Sequence, residues 1–194
     1  MKALILILMS FSTFGMENQN ERRGWYFPEQ AKLQVAGNIG FLSIGLGKRF
    51  FNDKWESDIF YGYVPSQVGG TAIDTYAFKN SYIYYRSRFN DSKIQFPFYI
   101  GAVLFYVDDV KVNTITRDSV QLYDYPPNSV HGMPYLGLAM QFFNNFSGKK
   151  KRASIYMEVG ALDIYLEDYF SEQNDEEMEW HEIINIAFGL SFHI

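Results

Sequence analysis

The C-terminal stretch 184–194 reads INIAFGLSFHI and carries two chemically different faces. Even positions hold Ile, Phe or Leu, whereas odd positions hold Asn, Ala, Gly, Ser and His. Side chains alternate across a β-strand, so this pattern predicts a strand with one bulky apolar face and one small or polar face. The outward face of a soluble β-sandwich usually carries Lys, Glu or Thr. In the stretch 184–194 the corresponding face carries small residues, which favours a crowded, narrow interior.

The same alternation recurs upstream, for example in the stretch 42–47, which reads LSIGLG. No stretch predicts a helix. Short connections alternate with longer ones, as expected when short turns gather at one membrane face and long loops at the other. The first strand is the least regular, but an even number of strands is needed to bring both termini to the same side. We predict strands near 29–37, 40–51, 54–64, 73–86, 93–107, 132–144, 152–166 and 180–194.

The composition fits a sheet whose outer face contacts lipid and whose inner face carries side chains that fill the enclosed space. The 194 residues include 18 Phe, 15 Tyr and 3 Trp, yet the mean hydropathy is only −0.18. A sheet can span hydrocarbon only when it is closed, because every backbone polar group must be paired internally. Eight strands close around an interior that side chains fill, so the expected barrel is porin-like in architecture but has no wide pore.

Charge and cysteine content exclude several other classes of protein. The chain contains no Cys, so a disulfide scaffold and a thiolate metal site are excluded. The formal net charge of −5 argues against nucleic-acid binding, which needs a basic face. No metal site and no cofactor are expected.

The N-terminal residues 1–15, MKALILILMSFSTFG, have the layout of a secretory signal peptide. A basic residue precedes a short apolar run, and small residues follow it. The apolar run is too short to span a bilayer as a helix. We therefore expect a signal peptide at 1–15, an N-terminal periplasmic segment at 16–28, and a barrel at 29–194.

These features resemble the small eight-stranded outer-membrane barrels, the class of the OmpX-type proteins and of the OmpA transmembrane domain. The resemblance covers roughly residues 29–194 as a pattern and is most specific in the C-terminal strand. The stretches 34–37 (QVAG) and 61–65 (YGYVP) are similar to uncharacterised envelope barrel proteins. The resemblance implies a monomeric, closed, antiparallel up-and-down transmembrane barrel in the outer membrane, surrounded by lipid and lipopolysaccharide. It also implies that the C-terminal strand engages the barrel assembly machinery. This chain departs from the class where Phe192 is followed by His193 and Ile194.

The turn at Asn52-Asp53 sets the register of the strands beside it. Position 50 then opposes 55 and position 49 opposes 56, so Arg49 and Glu56 form an inward ion pair. In the next hairpin, Asp58 opposes Lys79. Charges held away from lipid must be paired. The sequence therefore predicts a salt-bridged polar network in the lumen, with a proton or ion path as the alternative. The charged members of this network are Arg49, Glu56, Asp58, Lys79 and Glu158. The residues that share its inner face are Lys32, Gln34, Gln141 and Asn185.

A catalytic alternative rests on three side chains. Ser191 and His193 share the inner face of the last strand, and Glu158 lies on the adjacent strand, so a Ser-His-Glu set is conceivable. Some small outer-membrane barrels deacylate or acylate lipid A with His, Ser and a carboxylate. Glu158 sits part-way up its own strand, away from the strand end that carries His193, which weakens this alternative.

The function expected from the sequence is a structural or surface-interaction role in the cell envelope. Two alternatives stay open: a lipid A acyl hydrolase or transferase on the same barrel, and a secreted, soluble lipocalin-like binding barrel. The loop at 108–131 could extend as a hairpin with an edge for a partner. The acidic loop at 167–179 could bridge divalent cations to lipopolysaccharide phosphate, although its spacing matches no calcium loop.

Overall fold

The computed structural model of this chain is a closed barrel of eight strands, each antiparallel to its neighbours and paired in chain order. It describes residues 27–37, 39–69, 72–89, 93–108, 130–146, 149–163, 166 and 183–194. The predicted all-β, closed, antiparallel eight-stranded architecture is confirmed. The strands are β1 Gln30–Ala36, β2 Leu42–Phe50, β3 Trp55–Val64, β4 Ile73–Phe89, β5 Ile94–Val107, β6 Val130–Phe146, β7 Lys149–Ala161 and β8 Ile184–His193.

The first strand, the weakest by pattern, closes the barrel. Leu33 of β1 stands opposite Ile44 of β2 on one side and opposite Leu190 of β8 on the other. Both edges of the sheet are thereby paired, which removes the unpaired backbone groups that an open sheet would expose. The expected signal peptide at 1–15, most of the segment 16–28, most of the loop 108–131 and the loop 167–179 lie outside the described residues.

The predicted registers of β2, β3 and β4 are confirmed. Phe50 opposes Trp55, and Asp58 opposes Lys79. The turn between β2 and β3 has positive φ at Phe51, Asn52 and Asp53, at 53°, 57° and 62°. Asn and Asp tolerate this left-handed conformation better than most residues, and positive φ at both central positions suits the twist of a tight hairpin. We call the barrel end that carries this turn the turn end, and the opposite end the loop end.

The strand β4 departs from strict alternation. Its register against β5 shifts between Ile83 and Tyr85, so one residue is inserted as a β-bulge. Tyr84 and Tyr85 are both exposed on the outer surface, whereas Ile83 is buried inside. The strand continues to Phe89, three residues beyond the predicted end. A bulge re-aims the side chains that follow it, and here it brings Arg86 to the inner side.

Other element ends also differ from the prediction. The sequence predicts β7 to reach residue 166, but β7 ends at Ala161, and the next residue, Leu162, is fully buried. A four-residue helix, Ser66–Gly69, follows β3 although no helix was predicted. Val68 N donates to Pro65 O at 2.9 Å and closes this turn. Within the described part of the chain, no helix has the length and apolar character to cross a membrane.

The barrel interior has two layers of different chemistry. Toward the loop end it is apolar, because nearly inaccessible aliphatic and aromatic side chains pack across the lumen. Below this layer, toward the turn end, the buried residues are largely charged or hydrogen-bonding. The apolar layer contains Ile39, Val64, Ile73, Phe105, Val107 and Leu162.

Candidate functional site

The centre of the lumen is built around the ion pair of Lys79 and Glu158, which joins opposite walls of the barrel. Lys79 Nζ also donates to Gln34 Oε1 at 3.1 Å. The Tyr99 hydroxyl donates a hydrogen bond to the other carboxylate oxygen of Glu158 at 2.9 Å. Both charged side chains are buried, so the pair and its hydrogen bonds replace the water that either charge would otherwise require.

Aromatic rings enclose the Lys79 ammonium. Its nitrogen lies 5.2 Å from the centroid of Phe60, 4.9 Å from that of Tyr135 and 5.5 Å from that of Tyr156. A cation within about 6 Å of a ring face is attracted to the ring's electron density, more strongly where water is excluded. The rings thus stabilise the charged form of Lys79 and fill the lumen at the same level.

A second ionic cluster lies nearer the turn end. Lys32 Nζ contacts Asp58 at 2.7 Å and Glu56 at 2.9 Å. Arg49 Nη2 contacts the other oxygen of Glu56 at 2.5 Å. Gln30 Nε2 donates to Asp58 at 2.7 Å. Every carboxylate in this cluster therefore meets more than one donor.

The structure brings the five predicted network residues into these two clusters, and one pairing follows the strand register while the others cross the lumen. Arg49 pairs with Glu56, as the register requires. Asp58 opposes Lys79 in register, yet its carboxylate pairs with Lys32, while Lys79 turns to Glu158. Inward side chains of a closed barrel meet across the lumen, so the nearest opposite charge need not lie on the adjacent strand.

The principal residues that sequence reasoning missed are three inward tyrosines, each directly opposite a glycine on the neighbouring strand. A Cβ on any of these glycines would overlap the facing ring. Aromatic residues on both faces of 94–106 obscured the signal for Tyr99. In all three cases the pairing becomes visible only when the register of two strands is known. The pairs are Tyr99 with Gly137, Tyr135 with Gly101, and Tyr156 with Gly189.

The three catalytic candidates do not converge. Ser191 opposes Ser154 of β7, whereas Glu158 opposes Ala187 four residues away. Four residues of strand correspond to about 13 Å. His193 lies exposed at the end of β8, opposite Gln30, while Glu158 is engaged by Lys79 and Tyr99.

A further pair of titratable side chains lies at the loop end. His131 is buried against the ring of Phe105, with ring centroids 5.7 Å apart, and its Nδ1 lies 3.4 Å from Asp163 Oδ1. Gly132 N donates to the other oxygen of Asp163 at 2.7 Å. Asp163 therefore ties the end of β7 to the start of β6. Across the described ranges, no three His, Asp or Glu side chains are grouped so as to hold a metal ion.

Comparison with known proteins gives a distant structural likeness. No family model matches the chain, and no curated protein matches its sequence. Among solved structures, the chain is similar to one described as the outer membrane enzyme PagL, with 12% identity and a TM-score of 0.43 over 86% of this chain and 97% of that one. A likeness this distant carries no conclusion about activity. The OmpX and OmpA class thus stays a resemblance of sequence pattern.

Proposed function

We propose that this chain is an integral outer-membrane β-barrel with a structural or surface-interaction role, a lumen filled by side chains and no wide pore. One observation carries the proposal: the molecule is apolar outside and charged inside. The side chains of Lys79 and Asp58 are 1% and 0% exposed, whereas that of Ile59 is 69% exposed. Water would favour the reverse distribution, and a hydrocarbon surrounding favours this one.

The exposed apolar surface runs around the whole barrel. Each strand contributes at least one large apolar side chain that faces outward, so the surface forms a continuous belt. Soluble monomers seldom expose an apolar patch beyond a few hundred Å². A soluble lipocalin-like barrel would carry polar residues on these positions. One member from each strand, in chain order, is Leu33, Ile44, Ile59, Phe78, Leu104, Leu136, Ile155 and Phe188.

Aromatic residues gather at both ends of the belt, as they do where membrane barrels meet the two interfaces. Near the loop end, Tyr61 and Tyr76 stand opposite each other, with ring centroids 5.6 Å apart. Near the turn end, Tyr85 packs against Phe98 with centroids 5.9 Å apart. These rings have an apolar body for the acyl chains and, in tyrosine, a hydroxyl for the headgroup region.

The filled lumen favours a structural or surface role over transport. The apolar layer closes the loop end, and the Lys79–Glu158 pair with its aromatic rings closes the centre. A solute would have to break a buried ion pair to pass. Outer-membrane lipid and lipopolysaccharide are the proposed surroundings, the barrel assembly machinery is the proposed partner of the C-terminal strand, and the monomer is the proposed state.

The test is fractionation of a Gram-negative host that expresses the full chain, followed by gel electrophoresis of unheated and boiled samples. We expect recovery in the outer-membrane fraction and a shift in mobility on boiling, because a closed barrel resists detergent until it is heated. Recovery in the soluble fraction without detergent would overturn the membrane assignment. A boiling shift in soluble protein would then support a soluble barrel.

A further inference from the structure

A small cavity lies in the lumen between the Lys79–Glu158 pair and the turn end. Its volume is about 20 Å³, and all eight strands contribute to its wall. On one side, Gln141, Ser154 and Ser191 stand next to one another in register and are all buried. Amide and hydroxyl groups can donate hydrogen bonds. Three adjacent strands thus present a row of potential donors to one small space in the lumen.

Arg49 faces the same cavity with an unused donor. Its Nη2 contacts Glu56 at 2.5 Å and its Nε donates to Gln30 Oε1 at 3.1 Å. Its Nη1 is buried, and the described residues supply no hydrogen-bond partner for it. A guanidinium nitrogen can only donate, so the missing partner must be an acceptor. Leaving a buried charged donor unsatisfied is costly, which favours an acceptor in the cavity.

The charges in this half of the lumen do not balance. Lys32 and Arg49 are matched by Glu56 and Asp58. Nearer the turn, however, two cations share a single acid. Arg152 Nη1 lies 3.3 Å from the Asp53 carboxylate, and Arg86 donates to the Asp53 backbone carbonyl. Arg86 also has a buried nitrogen, Nε, without a partner among the described residues.

The cluster therefore holds four basic side chains against three acidic side chains. The Lys79–Glu158 pair is neutral and does not change this balance. The surplus lies at the turn end, where the Asp53 side chain is 46% exposed to solvent. It favours an anion over a cation in the cavity.

Size selects the kind of anion. A cavity of about 20 Å³ admits one particle of roughly the size of a water molecule. Phosphate and carboxylate groups have several heavy atoms and need more room. From the unused Arg49 donor, the donor row, the surplus of basic side chains and the volume, we propose that this cavity binds one chloride ion or an equivalent monatomic monovalent anion.

The first test uses the wild-type barrel folded in detergent. Thermal unfolding is followed in sodium chloride, sodium bromide and sodium gluconate at equal ionic strength. A ligand that binds only the folded state raises the unfolding midpoint as its concentration rises. We expect chloride and bromide to raise the midpoint while gluconate, which is too large for the cavity, does not. Equal midpoints in the three salts would overturn the proposal.

The second test locates the ion. Crystals grown in bromide are measured at the bromine absorption edge, where bromide scatters anomalously and water does not. The expected result is an anomalous peak within hydrogen-bonding distance of Arg49 Nη1. Density there without an anomalous signal would identify a water molecule and overturn the proposal.

Variants connect the effect to the cavity. Ser154→Ala together with Ser191→Ala removes two donors but leaves every charge in place. We expect this variant to need at least tenfold more chloride for the same stabilisation. Ser43→Ala is the matched control, because Ser43 is a buried inward serine that does not line the cavity. A chloride response that is the same in both variants would count against the site. The proposal needs only a folded barrel, so failure of the membrane assignment would leave it standing.

Discussion

Tyr99 stands directly opposite Gly137 across the ladder of β5 and β6, and its ring fills the space where a Cβ of Gly137 would lie. The ring can then lie over the neighbouring backbone and still carry its hydroxyl to Glu158. An aromatic ring over a glycine also pins the register of two strands. The narrow lumen thus holds large rings because the facing strand supplies no side chain at those positions.

The first prediction concerns Gly137→Ala. The new methyl group would overlap the Tyr99 ring, which is held by Glu158 and cannot move freely. Overpacking of a filled interior costs about 1–3 kcal/mol. We expect a loss of this size in the free energy of unfolding, measured by urea titration of the barrel folded into lipid vesicles.

Gly132→Ala is the control for this prediction, because Gly132 lies on the same strand. A Cβ there would have no neighbour closer than 3.7 Å, which is ordinary contact. We expect a change within about 0.5 kcal/mol. Equal losses of stability from the two substitutions would show that the position of the Tyr99 ring does not require a glycine at 137.

The second prediction concerns the central ion pair. Lys79→Met leaves Glu158 buried without its cation, and breaking a buried pair in this way costs about 3–5 kcal/mol. Adding Glu158→Leu removes the stranded charge, so we expect the double variant to recover part of the stability. Urea titration of the two single variants and the double variant gives the coupling energy.

Lys48→Met is the comparison for the ion pair. The contact of Lys48 with Glu29 is longer, at 3.5 Å, and both side chains are partly exposed. Surface pairs contribute about 0–1 kcal/mol. If Lys79→Met were as mild as Lys48→Met, the lumen would contain enough water to solvate Glu158.

The third prediction tests which medium surrounds the barrel. Ile59→Arg places a charge in the middle of the outer belt, where a bilayer would impose about 2–4 kcal/mol. Phe51→Arg puts the same residue in the turn at the barrel end, where we expect about 0–1 kcal/mol. Unfolding from lipid vesicles measures both. A soluble barrel would accept either substitution with little loss, since both side chains are exposed.

The two-residue period, together with the need for an even number of strands and for a closed sheet in hydrocarbon, predicted the strand number and the barrel. The same period and the tight turn predicted the registers around the β2–β3 turn. Alternation specifies which face a residue joins, and a tight turn specifies which residue it opposes. The bulge near Tyr84 could not be predicted, because the inserted residue is as apolar as its neighbours and leaves no mark in the hydrophobic pattern of the strand. The end of β7 could not be predicted either, since Leu162 leaves the ladder to join the apolar layer inside.

The site was predictable as a set of inward residues but not as a set of contacts. Side-chain alternation places Lys32, Asp58 and Lys79 inside the barrel. Their pairing depends on strand tilt and on which side chains reach across the lumen, and neither is encoded in a local pattern. The preference of Asp58 for Lys32 over Lys79 was therefore visible only in three dimensions.

The fourth prediction concerns acyl chemistry on lipid A. A nucleophilic triad needs its serine, histidine and carboxylate within hydrogen-bonding reach. Here Glu158 is held by Lys79 and Tyr99 about four residues of strand from Ser191. We expect lipid A from cells expressing the wild-type chain to have the same mass as lipid A from cells with an empty vector. Ser191→Ala and His193→Ala should leave that mass unchanged. Loss or gain of an acyl chain with the wild type, abolished by His193→Ala, would contradict this expectation and restore the enzyme alternative.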